Sequence, residues 1–227
     1  MQDTTLFKSF IIEVEYFRLQ GLLEILVNEC FPDGTLLQSQ HKKILNQFYH
    51  EIYQRWKLIY KGSRDGFHAD AFHSRCNNKR ATVTIIQSDQ NFIFRGYTSV
   101  SWISNDGCKT DPSAFLFTLR NPHNIPPTKY SIKSDKEDEA ICHNSSYGPR
   151  FGKGADISVG NGGTSRHSQY TNFPTTNSDT GVVELKIQSY PHPHRQEDHS
   201  GVQYLEGVCL FYSKTDSHRT HAHTHIV

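Results

Sequence analysis

The chain has 227 residues, 35% of them hydrophobic and 12% aromatic, with a mean hydropathy of −0.62; that is enough for one domain or two small ones, with a core leaning on Phe and Tyr. Twenty-four Lys and Arg stand against 23 Asp and Glu for a formal charge of +1, which supplies no field for nucleic acid or anionic lipid, so neither is expected as a partner. The 5 cysteines, Cys30, Cys76, Cys108, Cys142 and Cys209, are odd in number and widely spaced, which suggests neither a disulfide framework nor a CxxC metal site and favours a reducing, cytoplasmic setting.

At the N-terminus, Leu6 to Ile12 is interrupted by Lys8 and Ser9 and runs into Glu13 and Glu15, so no signal-peptide core is expected. No apolar stretch approaches the roughly 18–20 residues of a membrane span. From Leu6 to Leu26 the apolar residues Phe7, Phe10, Ile11, Val14, Phe17, Leu22, Ile25 and Leu26 recur every three or four positions, which predicts amphipathic helix split by Gly21. Phe31-Pro32-Asp33-Gly34 predicts a turn. A second helical stretch, Leu36 to Trp56, follows.

After Trp56 the pattern changes to short strand-like runs: Lys57 to Tyr60, Thr82 to Gln87, Asn91 to Phe94, Phe115 to Arg120, Tyr130 to Ile132, Ile157 to Val159 and Val182 to Ser189. Gly, Asn, Asp and Pro separate them. With one helix expected at Asp70 to Cys76, the spacing predicts an α+β fold, largely antiparallel sheet with helices at its ends. Ser88 to Asn91 reads as a hairpin turn, and Gly160 to Asn177 as a long loop.

An ordered series of motifs carries a family resemblance. Leu58-Ile59-Tyr60 is followed by Arg64-Asp65-Gly66-Phe67 and by Phe72-His73 and Cys76. Ala81 to Ser88 leads to Gly96-Tyr97 and Trp102. Asp111 to Leu119 contains Ala114-Phe115-Leu116-Phe117. Ala140-Ile141 precedes Gly148-Pro149-Arg150-Phe151-Gly152-Lys153-Gly154-Ala155-Asp156-Ile157. The series resembles the TLDc domain family over about residues 57–190. Arg95 stands where the family often has glycine, and Val183 to Gln188 is taken as the closing strand. The resemblance implies a two-sheet antiparallel β-sandwich flanked by helices and a protein-binding role without catalysis. It also implies a link to oxidative-stress resistance and, from several relatives, contact with the vacuolar proton-translocating ATPase.

Glu13 to Leu23 resembles the last helices of a BTB domain of the potassium-channel tetramerisation type, too short here for the whole domain. The expected organisation is therefore a BTB-like helical remnant at 1–30, a helical connector at 31–56, the TLDc-like domain at 57–190, and a His-rich, partly disordered tail at 191–227. Homo-oligomerisation into a multimeric adaptor is the alternative role that this start suggests.

Several constellations invite chemistry. Asp65, His68, His73 and Cys76 could bind zinc or activate a thiol, and a thiol-dependent enzyme in oxidant defence is the other alternative. Packing of Phe67, Phe72 and Cys76 is the preferred reading, because no second close ligand pair follows. Asp65 is read as a turn carboxylate beside a Gly66 of positive φ rather than a general base. Gly148 to Gly154 lacks the Gly-Lys-Ser/Thr of a phosphate loop and reads as a closely packed connection, with Arg150 and Lys153 as surface charges. Glu184 and Glu206 form no recognisable acid pair, and no Gly-x-Ser-x-Gly occurs. His221, His223 and His225 alternate and could chelate a metal weakly from an extended tail. No motif calls for a cofactor.

Overall fold

In the computed structural model, residues 9–10, 12–13, 16, 19–33, 36–87, 91–121, 124–159, 173–178 and 209–214 are described. The chain divides into two compact units, one comprising Met1–Lys57 with Lys214–Val227 and the other Leu58–Ser213.

The first unit is built mainly on helices. Helix α1, Gln20–Glu29, begins after Leu19 without a side-chain cap. Residues 9–10, 12–13 and 16 are also helical while Leu19 is not, so the interruption falls two residues ahead of the predicted Gly21, which sits in the first turn of α1. The helix buries Leu23, Leu26 and Val27, against which Leu22 and Tyr53 pack. Helix α2, Ser39–Phe48, is shorter than the predicted Leu36 to Trp56, since His50 takes φ 62° and ends it. Beyond this end Asn46, fully buried, ties the returning chain down. Its Nδ2 donates to the Ile52 and Gln54 carbonyls at 2.8 and 3.0 Å, and its Oδ1 accepts the Trp56 indole N–H at 2.8 Å.

In the second unit the strands are short and separated by tight connections. Strand β1, Trp56–Lys61, starts one residue before its predicted position, and β2, Thr82–Gln87, and β5, Phe115–Arg120, occupy the predicted residues. Strand β3 is Ile93–Thr98, running on past the expected Phe94, and β6 is Thr128–Ser131. Strands β4, Gly107–Lys109, β7, Ile141–His143, and β8, Arg150–Phe151, are too brief to leave a pattern of their own; β9 is Ile157–Ser158. Two short helices, α3, Gly62–Asp65, and α4, Ala69–Cys76, follow β1, and a 3₁₀ turn spans Glu137–Glu139. Strand β10, Cys209–Lys214, lies beyond residue 190, in the stretch expected to be tail.

The strands form a six-stranded sheet in the order β1-β10-β2-β3-β5-β6 and a four-stranded sheet in the order β4-β7-β8-β9. The pairs β10–β2, β2–β3, β3–β5 and β5–β6 are antiparallel, as are those of the smaller sheet. Strand β10 therefore fills a central position, which is why β2 needs no sequence neighbour on that side. Two antiparallel sheets with a few helices make this an α+β fold, consistent with the sandwich that the family resemblance implies.

The main core draws on both sheets. Tyr60, Ile86, Phe94, Leu116 and Tyr130 come from the larger one, Ile141, Phe151 and Ile157 from the smaller, and Phe72, Cys76 and Trp102 from the segments between. Alternation along β5 sends Leu116 into this core and Phe115 and Phe117 to the other face, where Phe115 stacks on Tyr97 at 4.9 Å and meets Phe117 at 5.7 Å. The larger sheet is thus buried on both faces there, which explains the unbroken apolar character of β5.

Among the described residues no helix is long and apolar enough to cross a membrane. The predicted strand Val182 to Ser189 and the histidines His221, His223 and His225 lie outside the described residues, as do Ser88 to Gln90 of the predicted turn and most of the predicted loop at 160–177.

Candidate functional site

Apart from Tyr97 and Phe115, which stack on the other face of the larger sheet, the motif residues lie in three places. In the first, the chain leaves β1 through the single turn of α3 and reverses at Gly66, whose φ of 96° a side chain would resist. Asp65 organises this turn. Its Oδ2 accepts the Lys61 backbone N–H at 2.9 Å, its two oxygens accept Arg64 Nε and Nη2 at 3.0 and 2.7 Å, and Arg75 reaches Oδ1 at 3.3 Å. The Arg64 hydrogen bonds hold its carboxyl below the usual carboxylate range. Tyr60 Oη donates to the Gly66 carbonyl at 2.6 Å, closing the loop onto the sheet. Phe67 is half-exposed and lies over Gly62.

In the second place, α4 presents Phe72, His73 and Cys76 inward. Cys76 is fully buried and Phe72 is edge-on to Tyr60 and to Trp102. The Nε2 of His73 lies 3.0 Å from both the Asn144 and Tyr147 carbonyls, and its Nδ1 lies 2.8 Å from Asn77 Oδ1. Carbonyl oxygens only accept, so Nε2 carries a proton, and His73 staples α4 to the loop after β7. Asp65, His73 and Cys76 therefore each meet different partners. Among the described residues no group of three or more His, Cys, Asp or Glu is placed to hold a metal ion.

The third place is the loop from Gly148 to Asp156. Gly148 N–H donates to the Val159 carbonyl and Gly152 N–H to the Ala140 carbonyl, each at 2.8 Å. Gly152 has φ 78°, and a methyl group there would strike Thr176; at Gly154 it would strike Thr175. Phe151 lies in the same way against Gly96 of β3 and is edge-on to Trp102 at 5.6 Å. Asp156, fully buried, accepts the backbone N–H groups of Thr175, Thr176 and Asn177 at 2.6–3.0 Å. Burial pushes its carboxyl upward against these donors. Pro149 accompanies the start of β8, and its carbonyl accepts the Val159 N–H at 3.1 Å. Lys153, expected as a surface charge, is exposed and pairs with Glu139 Oε1 at 3.3 Å.

Sequence reasoning overlooked four features. Asp111, which opens the third motif and is 1% exposed, accepts Thr98 Oγ1, the Ser99 N–H and hydroxyl, and the Ser113 N–H and hydroxyl; the Asp-x-Ser spacing is the local signal for that role. Trp102 donates its indole N–H to Thr82 Oγ1 at 2.9 Å, a pairing with no local signal. His143 is 4% exposed, stands edge-on to Trp102 at 5.7 Å, and among the described residues neither ring nitrogen has a hydrogen-bond partner. Burial, with Lys109 and His73 nearby, lowers it to about 4.

The fourth feature corrects the cysteine reading. Cys108 and Cys142 are joined by a disulfide, with their Cα atoms 4.0 Å apart. They sit 34 residues apart in sequence but directly opposite each other on β4 and β7, a register that no spacing rule contains. Cys30 and Cys76 are buried outside any disulfide, and burial raises the Cys30 thiol to about 11.

No curated protein matches the chain. Among models of known families, the one described as TLDc domain matches residues 32–190. That span begins upstream of the first strand and takes in helix α2, which the motif series did not reach. Matching most of the chain and resting on the folded motifs just described, it shows that the chain belongs to the TLDc domain family.

Proposed function

We propose that the chain is a non-catalytic protein-binding module of the TLDc type, working in the cytoplasm, with a vacuolar proton-translocating ATPase subunit as partner and a contribution to oxidative-stress resistance. One observation supports the absence of catalysis: the polar motif side chains are engaged by the chain itself. Asp65 is held by Arg64, Arg75 and a backbone N–H, Asp156 by three backbone N–H groups, and His73 by two carbonyls and Asn77. A general acid, base or nucleophile needs a free valence toward substrate, and Cys76, fully buried, lacks the exposure that a reactive thiol requires. Binding then falls to the outer surface. Immobilised full-length chain exposed to endomembrane extract is expected to retain proton-pump subunits through a moderate salt wash. Turnover of a metabolite by the purified chain, abolished by changing one of these motif residues, would overturn the reading.

A second reading, assembly of copies into an adaptor through the BTB-like start, is favoured by exposed apolar side chains there. Ile12, Tyr16 and Ile25 are 64%, 80% and 59% exposed, more than a lone helix face needs. Light scattering on the full chain tests it, and a monomer at tens of micromolar would remove it.

A further inference from the structure

The Cys108–Cys142 bridge joins an edge strand to its neighbour. Strand β4 has only three residues and, among the described residues, pairs with β7 alone, Gly107 opposite His143, Cys108 opposite Cys142 and Lys109 opposite Ile141. Ile141 and His143 point to the core and to Trp102, so alternation puts Cys142 and its bridge on the sheet's other face. Cys108 is half-buried between exposed Gly107 and Lys109, whereas Cys142 is 5% exposed, so Cys108 is the more exposed half of the bridge. Three ladder positions and a bridge are all that β4 contributes to the sheet.

The ends of this segment are anchored without the bridge. On one side Trp102 is buried, donates to Thr82 and bridges Asn77, while the Asn77 amide donates to Ser104 Oγ at 2.7 Å. On the other side Asp111 is held by five hydrogen bonds from Thr98, Ser99 and Ser113, and its own N–H donates to the Glu137 carbonyl at 3.0 Å. A reduced Cys142 also has an acceptor in place, since its sulfur lies 3.9 Å from the Glu139 carbonyl. Opening the bridge thus frees the middle of the segment and leaves both ends and the core intact.

We infer that Cys108–Cys142 is a reversible thiol–disulfide exchange site, taking small or protein dithiols as its redox partner and controlling the order of the 103–110 segment. The thiolate of the dithiol attacks Cys108 Sγ, the S–S bond breaks, and its electron pair leaves on Cys142 Sγ, which takes up a proton. The second thiol of the reductant then attacks its own sulfur in the mixed disulfide and releases Cys108 as a thiol. Two electrons and two protons pass to the pair, and the dithiol becomes a disulfide. The reverse reaction, with an oxidised dithiol, closes the bridge.

The test equilibrates the full chain in buffers of reduced and oxidised dithiothreitol, alkylates free thiols without denaturant, and locates the label by peptide mass spectrometry. Cys108 and Cys142 are expected to gain label together as the buffer becomes more reducing, while Cys30 and Cys76 stay protected. Amide exchange in 103–110 should rise at least tenfold in the reduced chain, with Phe115–Arg120 unchanged, and the Cys108→Ala/Cys142→Ala double variant should show the same raised exchange in every buffer. Three results would overturn the inference: label on the pair without reductant, label only after denaturant is added, or reduction that raises exchange across the whole sheet.

Discussion

Asp156 lies with its Oδ2 2.6 Å from the backbone nitrogen of Asn177, 21 residues further along the chain. Through this contact and those to Thr175 and Thr176, a carboxylate at the end of the glycine loop holds a segment that also bonds to the sheet edge. There Lys133 N–H donates to the Thr176 carbonyl, Ser178 N–H donates to the Ser131 carbonyl, and Ile132 bridges Asn177. Gly152 and Gly154 are glycines because that segment leaves no room for a methyl.

Replacing Asp156 by alanine removes the acceptor from the buried N–H groups of Thr176 and Asn177 and from the part-buried one of Thr175 at once. Each unsatisfied buried donor costs on the order of 1–3 kcal/mol, offset in part by relaxation and entering water, so about 2–4 kcal/mol is expected for the variant. Urea unfolding of wild type and Asp156→Ala measures this, and a loss under about 1 kcal/mol would mean that the segment is held by other contacts.

Gly96→Ala and Gly62→Ala separate rigid from yielding neighbours. Both methyls would run into an aromatic ring, Phe151 for Gly96 and Phe67 for Gly62. Phe151 is 2% exposed and Phe67 39%, so only Phe67 has space to move. Gly96→Ala is expected to cost about 1–3 kcal/mol and Gly62→Ala less than about 1 kcal/mol. Adding Phe151→Leu should recover part of the Gly96→Ala loss; equal costs at the two glycines would contradict the packing argument.

His143 makes the fold sensitive to acid. Its folded value, about 4, lies below its ordinary 6.5, so the unfolded chain binds the proton more readily. Stability is therefore complete above pH 6.5 and declines as pH falls through 6.5 toward 4, by roughly 3 kcal/mol in all. Thermal unfolding from pH 7.5 to 4.5 should show a shallower decline for His143→Leu than for wild type. Parallel curves would assign the acid sensitivity elsewhere.

Asp65 contributes in the opposite ionisation sense. Arg64 lowers its folded value below the ordinary 3.8, so its stabilisation is present above that pH and is lost as pH falls toward the folded value. The two arginines are about half-exposed, at 49% and 55%, so Arg64→Gln and Arg75→Gln should each cost less than about 1 kcal/mol. Asp65→Ala also strips the acceptor from Lys61 N–H, and roughly 1–2 kcal/mol is expected. An arginine variant as damaging as Asp65→Ala in denaturant unfolding would show that the ion pairs, and not the turn, set the cost.

Local pattern alone was sufficient where the chemistry is local. The β-branched and aromatic runs at Thr82–Gln87 and Phe115–Arg120 are strands wherever they are covered, Gly66 reads as a turn because only glycine takes its φ cheaply, and the ordered motifs identified the family. Helix ends were less legible: α2 stops at Phe48 because His50 turns to positive φ and Asn46 bonds the returning chain, a decision made by tertiary partners. Tertiary structure alone decided that Cys209–Lys214 lies between β1 and β2, that Cys108 faces Cys142, and that His143 is buried with no hydrogen-bond partner among the described residues. Each depends on which strands become neighbours across long stretches of chain, and strand pairing is settled by burial of whole sheet faces rather than by the residues adjacent in sequence.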